Sequence, residues 1–162
     1  MESLEIFVSQ YSYFAIYGLL TLGIVGLPVP DEMLMILVGS LSSSSILNLY
    51  DAILIAFLGT MTGMTLSYFL GNRIGKPLLL KYGKWVRLTP QRLEKVERWF
   101  KKYGIWSIMF GYYIPGIRHL TCYMAGVIGI RFRNYLLISG IGALIWCSLF
   151  ITLGYFGYRW LT

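Results

Sequence analysis

Two short stretches of this chain place ionisable side chains next to prolines inside apolar sequence. Residues 26–32 read Gly-Leu-Pro-Val-Pro-Asp-Glu, and residues 112–119 read Tyr-Tyr-Ile-Pro-Gly-Ile-Arg-His. Proline removes a backbone donor and disfavours helix in the residue before it, so each stretch predicts a broken helix. A charge at membrane depth costs about 2.5–3.5 kcal/mol and usually faces protein or water. Acid beside one break and base beside the other therefore indicate a transport site.

The composition assigns the chain to a membrane. Hydrophobic residues make up 57% and charged residues 13%, with a mean hydropathy of +0.65. Soluble domains carry about 25% charged residues. The 162 residues leave room for a single domain, residues 1–162. Cys122 and Cys147 lie in apolar segments without metal-ligand spacing, so we interpret them as packing residues and expect neither a metal nor a cofactor.

Hydrophobic segments and charge together predict the topology. Residues 11–27, 52–70 and 135–158 are predicted transmembrane helices, since about 20 apolar residues cross a bilayer. Residues 28–46 and 105–130 contain the proline breaks. If Arg131 and Arg133 are cytoplasmic, the second of these segments starts and ends on that side, which predicts a re-entrant hairpin. By the same reasoning the first segment enters from the opposite face.

The loop over residues 72–104 is strongly basic. Ten cations lie in it against two acids: Arg73, Lys76, Lys81, Lys84, Arg87, Arg92, Lys95, Arg98, Lys101 and Lys102. The positive-inside rule places it in the cytoplasm, and its position between membrane segments argues against nucleic acid as a partner. Pro90 after Thr89 predicts a helix start and Gly104 its end. The apolar stripe of Leu93, Val96, Phe100 and Tyr103 predicts an amphipathic helix at the cytoplasmic interface.

The two halves of the chain also suggest an internal repeat. Each half runs from a proline-broken segment to a glycine, Gly39 or Gly126, and then to a span with spaced glycines. The pairs Gly59 to Gly71 and Gly142 to Gly154 are both twelve residues apart. Chance is an alternative explanation, because 18 of 162 residues are glycine. The predicted fold is an all-α integral membrane protein, an inverted repeat with two opposed re-entrant hairpins, transmembrane helices and a cytoplasmic amphipathic helix.

At these residues the chain resembles the DedA family, the bacterial relatives of the VTT-domain lipid scramblases. The resemblance covers residues 26–157. The family element P-x-P-x-E corresponds to residues 28–32, and R-F-x-P-G-x-R corresponds to residues 112–118. The signature G-x-x-x-G-x-x-x-x-Y-x-x-G-x-x-x-G corresponds to Gly59, Gly63, Tyr68, Gly71 and Gly75.

The resemblance implies movement of a lipid headgroup across the bacterial cytoplasmic membrane. The implied cargoes are undecaprenyl phosphate and phosphatidylethanolamine, and dependence on the proton-motive force is suspected. Two positions depart from the family. Tyr112 replaces the first arginine of its motif, and Gly23 stands where many members carry an acid. These departures put proton coupling in doubt, and one arginine beside two carboxylates slightly favours zwitterionic phosphatidylethanolamine over undecaprenyl phosphate.

Arg118 is the leading candidate for binding lipid phosphate, because its guanidinium can donate two hydrogen bonds at once. The alternative role is an ion pair with Glu32 that holds the two hairpins together. Glu32 is a candidate for pairing with an ammonium group or carrying a proton.

Four further side chains are weaker candidates for the substrate-binding site. Asp31 is a candidate ligand or a cap of the helix after Pro30. His119, the only histidine, could relay protons or bond locally. Tyr112 and Tyr113 could line the substrate path or simply sit at the membrane interface. The residues expected to shape the hairpins rather than contact substrate are Pro28, Pro30, Pro115 and Gly116.

Other functional classes fit less well. An enzyme is not expected, since the chain has one histidine and neither H-E-x-x-H nor G-x-S-x-G. A proton- or cation-coupled small-solute transporter on the same fold is the main alternative. A purely structural membrane partner is a weaker one. The expected partner is a membrane phospholipid or polyprenyl phosphate, and a homo-oligomer is possible through Gly59, Gly63, Gly142 and the Gly71–Gly75 pair.

The predicted topology can be tested by cysteine labelling. A cysteine at Lys84, within the basic loop, should react with a membrane-impermeant reagent only from the cytoplasm. A cysteine at Asn48, between the first hairpin and the next span, should react only from outside. Labelling of both cysteines from the same side would contradict the inverted repeat.

Overall fold

The computed structural model is all-helical over the residues that it describes, which are 2–25, 30–75, 77, 81, 90–114 and 117–161. Side chains are described in these ranges except at residues 2–10, 90, 92, 93, 112, 117–119 and 161. Seven helices have both ends in these ranges: α1 (Glu2–Val25), α2 (Asp31–Ser43), α3 (Leu49–Ile74), α4 (Pro90–Tyr103), α5 (Trp106–Tyr112), α6 (Ile117–Ile128) and α7 (Phe132–Leu161). The absence of strands from the described residues confirms the predicted all-α class.

The chain divides into two compact units. The first contains Met1–Gly63 and Ala143–Thr162, and the second contains Met64–Gly142. Helices α1 and α2 belong to the first unit, whereas α4, α5 and α6 belong to the second. The long helices α3 and α7 each contribute one part to each unit.

Among the described helices, α3 and α7 are long and apolar enough to cross a membrane. They contain the predicted spans 52–70 and 135–158 and extend beyond both ends of each. At about 1.5 Å per residue, α3 exceeds a hydrocarbon core of about 30 Å. The start of α3 is capped by Asn48, whose Oδ1 accepts the Tyr50 N–H at 3.0 Å. In α1 the described apolar part is shorter and covers Tyr11–Val25.

The two proline-broken segments differ in their number of helices. Residues 30–46 form α2 and the turn that ends it. Residues 105–130 form α5, a break that includes Tyr113 and Ile114, and then α6. Helices α5 and α6 pack closely, because a Cβ added to Gly111 would lie 2.6 Å from the Thr121 hydroxyl. The second segment is therefore a helical hairpin, while the re-entrant course of both segments through the membrane stays a prediction.

Helices α2 and α6 end in the same kind of turn. After α2, Ser45 has a φ of +62° and the Ile46 N–H donates to the Leu41 carbonyl at 3.2 Å. After α6, Gly129 has a φ of +77° and the Ile130 N–H donates to the Ala125 carbonyl at 3.1 Å. This pattern closes a helix by satisfying carbonyls of its last turn. Each short helix thus leads directly into a long one.

In the first unit, α2 crosses α7 with almost no space between their backbones. A Cβ added to Gly39 would overlap the Ile151 carbonyl oxygen and lie 2.8 Å from the Tyr155 nitrogen. Conversely, a Cβ added to Gly154 would overlap the backbone of Ile36. Only glycine permits this approach from both sides. We call this contact the first glycine crossing.

In the second unit, α6 crosses α3 in the same way. A Cβ added to Gly126 would overlap the Tyr68 carbonyl oxygen and lie 2.8 Å from the Asn72 nitrogen. A Cβ added to Gly71 would overlap the Tyr123 carbonyl oxygen. This second glycine crossing uses the same offsets as the first, with the contacted oxygen three residues before the partner glycine. The packing therefore recurs in both units, and the inverted orientation of the predicted repeat stays a prediction.

Three of the glycines proposed for an oligomer interface make close contacts inside the chain. A Cβ at Gly59 would lie 2.9 Å from the Tyr17 carbonyl oxygen, and one at Gly63 would lie 2.7 Å from that of Thr21. Gly71 lies in the second glycine crossing. Because α1 and α6 already cover these positions, the three glycines serve packing within the chain, and a homo-oligomer stays a prediction.

Helix α4 has the predicted limits. It begins at Pro90, and Gly104, with a φ of +55°, donates its N–H to the Phe100 carbonyl at 2.8 Å. Val96 and Phe100 are buried, and α4 packs against α5 and α6. Protein therefore covers these two residues of the apolar stripe, whereas Tyr103 is 46% exposed, and the position of α4 at the membrane interface stays a prediction. The outer face exposes basic side chains, among them Lys95, Arg98, Lys101 and Lys102.

The glycine crossings predict a clear substitution pattern. Gly39→Ala and Gly126→Ala should each lower the melting temperature in detergent, because the added Cβ overlaps a backbone carbonyl and overpacking costs about 1–3 kcal/mol. Gly157→Ala is the matched control, since nothing lies within 4 Å of its Cβ position. There alanine should preserve or raise the melting temperature, because glycine within a helix is worse by about 0.5–1 kcal/mol. Equal melting temperatures for all three variants would contradict the close crossings.

Candidate ligand-binding site

Two acids open helix α2. Pro30 is the N-cap, with no side-chain capping bond, and its carbonyl accepts the Leu34 N–H at 3.1 Å. Asp31 is the first residue of the helix and Glu32 the second. The prediction that Asp31 caps α2 is therefore wrong, because the cap position is taken by proline. Both carboxylates nevertheless interact favourably with the partial positive charge of the helix start.

The two acids differ in burial. Asp31 is 1% exposed and is the one charged side chain among the described residues that are buried. Glu32 is only partly buried. Each takes part in a hydrogen-bonding or electrostatic interaction. An enclosed carboxylate is costly without a partner. We therefore expect the interaction of Asp31 to contribute more to stability than that of the partly buried Glu32.

The basic candidates lie at the start of α6. Arg118 and His119 are in its first turn, and that turn contains no acid. Their side chains lie outside the described residues, as do the side chain of Tyr112 and all of Pro28, Pro115 and Gly116. Tyr113 follows the last residue of α5 and is 38% exposed.

The starts of α2 and α6 therefore have opposite chemistry. Unpaired N–H groups at a helix start favour an anion, and a nearby arginine strengthens that preference. The start of α6 suits a phosphate or carboxylate group. The start of α2 already contains two carboxylates and suits a cation or a proton.

These candidates are divided between the two units. Asp31 and Glu32 belong to the first unit, whereas Tyr113, Arg118 and His119 belong to the second. Pairing of Glu32 with Arg118 remains a prediction from the sequence.

Three tyrosines with structural roles were not singled out as candidates. Tyr68 donates its hydroxyl to the Ile130 carbonyl, Tyr123 donates to Gly75 at 2.7 Å, and Tyr135 donates to Met64 at 2.9 Å. The family signature contains Tyr68, and a tyrosine within an apolar helix generally needs a hydrogen-bond partner. That rule could have marked all three, although their acceptors depend on the tertiary fold.

The described residues give no support for metal or thiol chemistry. They contain no group of three or more His, Cys, Asp or Glu side chains that could hold a metal ion. Cys122 and Cys147 are buried and not disulfide-bonded, and the Cys147 sulfur lies 3.7 Å from the Thr60 hydroxyl. These contacts agree with a packing role for both cysteines.

A sequence profile of the VTT domain matches residues 29–156. The chain belongs to the VTT-domain family. This match confirms the DedA resemblance. Together with its relatives' description as bacterial membrane proteins, it establishes a multi-pass protein of the cytoplasmic membrane.

Several proteins resemble this chain over most of its length. The uncharacterized membrane protein YbfM of Bacillus subtilis is 47% identical over 154 residues, which cover 95% of each chain. Undecaprenyl phosphate transporter A of Staphylococcus aureus is 32% identical, covering 91% of this chain and 75% of that protein. An alkaline phosphatase-like protein of Lactococcus lactis is 30% identical, covering 91% and 71% respectively. No solved structure matches the chain significantly.

The burial of Asp31 generates a prediction about stability. Asp31→Ala should lower the free energy of unfolding by about 1–3 kcal/mol, because the group that interacts with Asp31 loses its carboxylate partner. The matched control is Asp51→Ala, an exposed acid in the first turn of α3, for which the loss should stay within about 0.5 kcal/mol. Denaturation in detergent followed by tryptophan fluorescence measures both. Equal losses for the two variants would contradict an energetic role specific to Asp31.

Proposed function

We propose that this VTT-domain protein moves a phosphate-bearing lipid headgroup across the cytoplasmic membrane. The observation that carries the proposal is the start of α6, where Arg118 lies in a helical turn without acids. Such a turn can hold a phosphate through backbone N–H groups and a guanidinium. A relative that is 32% identical over nine-tenths of the chain is named undecaprenyl phosphate transporter A, which supports the same chemistry.

Two cargoes share the phosphate group. Phosphatidylethanolamine is favoured by Tyr112, because the site then lacks a second arginine for a more anionic headgroup. Undecaprenyl phosphate is favoured by the names of two relatives, which are 32% and 26% identical to this chain. The relatives' similarity extends along most of the chain, whereas the other preference depends on one position. Undecaprenyl phosphate is therefore the first cargo to test.

In this proposal the headgroup and the lipid tail contact different surfaces of the protein. The phosphate binds at the start of α6, while the tail stays in the bilayer beside the apolar helix faces. Those faces are exposed on the described helices, for example at Phe14 on α1 and Leu137 on α7. The acids of α2 would pair with the ammonium group if the cargo is phosphatidylethanolamine.

A second candidate is proton- or cation-coupled transport of a small solute. The burial of Asp31 favours it, because an enclosed carboxyl in a membrane protein can take up and release a proton. Lipid movement and proton flux distinguish the two functions directly.

The test uses purified full-length protein in liposomes that contain labelled lipid in one leaflet. Arg118→Lys keeps the charge but loses the planar two-bond geometry, so transport should fall at least about tenfold. Arg118→Ala should fall at least as far. Arg131→Lys is the matched control, since Arg131 is exposed in the turn before α7, and its transport should change little.

Undecaprenyl phosphate and phosphatidylethanolamine are assayed in parallel, together with proton flux. Movement of either lipid that requires Arg118 supports the proposal and identifies the cargo. Normal transport by Arg118→Ala would exclude phosphate binding by this residue. Proton flux without movement of either lipid would favour the second candidate.

A further inference from the structure

Two tyrosine hydroxyls join α3 and α6 on either side of the second glycine crossing. Tyr68 of α3 donates to the carbonyl of Ile130, which follows the end of α6. Tyr123 of α6 donates to the carbonyl of Gly75, which follows the end of α3, at 2.7 Å. Each tyrosine lies before the crossing on its own helix and donates to a carbonyl beyond the C-terminal end of the other helix. The helices α3 and α6 are therefore antiparallel.

These bonds satisfy groups that a helix cannot satisfy itself. The last carbonyls of a helix lack partners within it. Tyr68 is itself held firmly, because it is 3% exposed and stacks on Tyr135 with ring centroids 4.7 Å apart. The tie between α3 and α6 therefore has one rigid anchor.

The first glycine crossing lacks the corresponding hydroxyls. Tyr68 and Tyr123 each lie three residues before a crossing glycine, Gly71 and Gly126. The residues three before Gly154 and Gly39 are Ile151 and Ile36. Isoleucine packs but donates no hydrogen bond, so these positions hold α2 against α7 by close contact alone.

We propose that Tyr68 and Tyr123 are positioning residues that fix the rotation and register of α6 on α3. They hold the anion-binding start of α6 in place. The transport consequence rests on the proposed function, whereas the hold on α6 does not.

Hydrogen exchange in lipid nanodiscs tests the mobility of the full-length protein. Tyr68→Phe and Tyr123→Phe each remove one oxygen and should speed amide exchange in α6 by about fivefold, the effect of one lost hydrogen bond. Exchange in α2 should not change. Tyr17→Phe is the matched control: it removes a hydroxyl bond from α1 to α3, at the Thr62 hydroxyl 3.0 Å away, and should leave α6 unchanged.

Unchanged α6 exchange in both variants would overturn the proposal. The lipid dependence of transport separates positioning from a structural role. Loss of positioning should raise the half-saturating mole fraction of undecaprenyl phosphate several-fold at a similar maximal rate. A lower maximal rate with unchanged half-saturation would show that the tyrosines are only structural. If the unmodified protein moves no lipid, the proposed function fails and exchange still decides whether the tyrosines hold α6.

Discussion

Backbone contact at glycine is the constraint on which this structure depends. Lipid offers helices no hydrophobic reason to associate, so close approach and dispersion must hold them together. Gly39 and Gly154 allow α2 to lie directly on α7, and Gly71 and Gly126 allow the same for α6 on α3. Both short helices carry ionisable residues in their first turn. The crossings therefore fix where those polar turns can lie, and a side chain at any of the four glycines would displace them.

Polar groups inside this apolar chain are handled at helix ends. The carbonyls that follow α3 and α6 accept tyrosine hydroxyls, and the turns after α2 and α6 close their last carbonyls with backbone N–H groups. Proline takes the cap position of α2, which leaves Asp31 within the helix and buried. The charged first turns are thus the costly features that remain, and their cost is what argues for a function in transport.

In the second unit, helix α4 packs its apolar side against other helices, as an amphipathic helix of a soluble protein does. Val96 and Phe100 of α4 are buried, and the Ser107 hydroxyl donates to the Trp99 carbonyl at 3.2 Å. The helix thereby braces the α5–α6 hairpin and turns its basic side chains outward. The positive-inside rule predicts that those exposed cations face the cytoplasm, while the buried Val96 and Phe100 stabilise the hairpin.

Several helices, their ends and the family could be predicted from residue types and spacing. Continuous apolar runs indicated α3 and α7, Pro90 and Gly104 marked the ends of α4, and the motifs indicated the family. These signals are local, since length, capping and turn chemistry act within a few residues. The partners of each glycine could not be predicted. Gly71 contacts α6 and Gly39 contacts α7, whereas the repeat was predicted from glycine spacing within α3 and α7. For the same reason, the sequence did not show that Asp31 and part of α4 are buried. It also did not show which carbonyls accept the hydroxyls of Tyr68 and Tyr123. Periodicity shows that a helix has an apolar face for packing. It does not show which residues, distant in the chain, pack against that face.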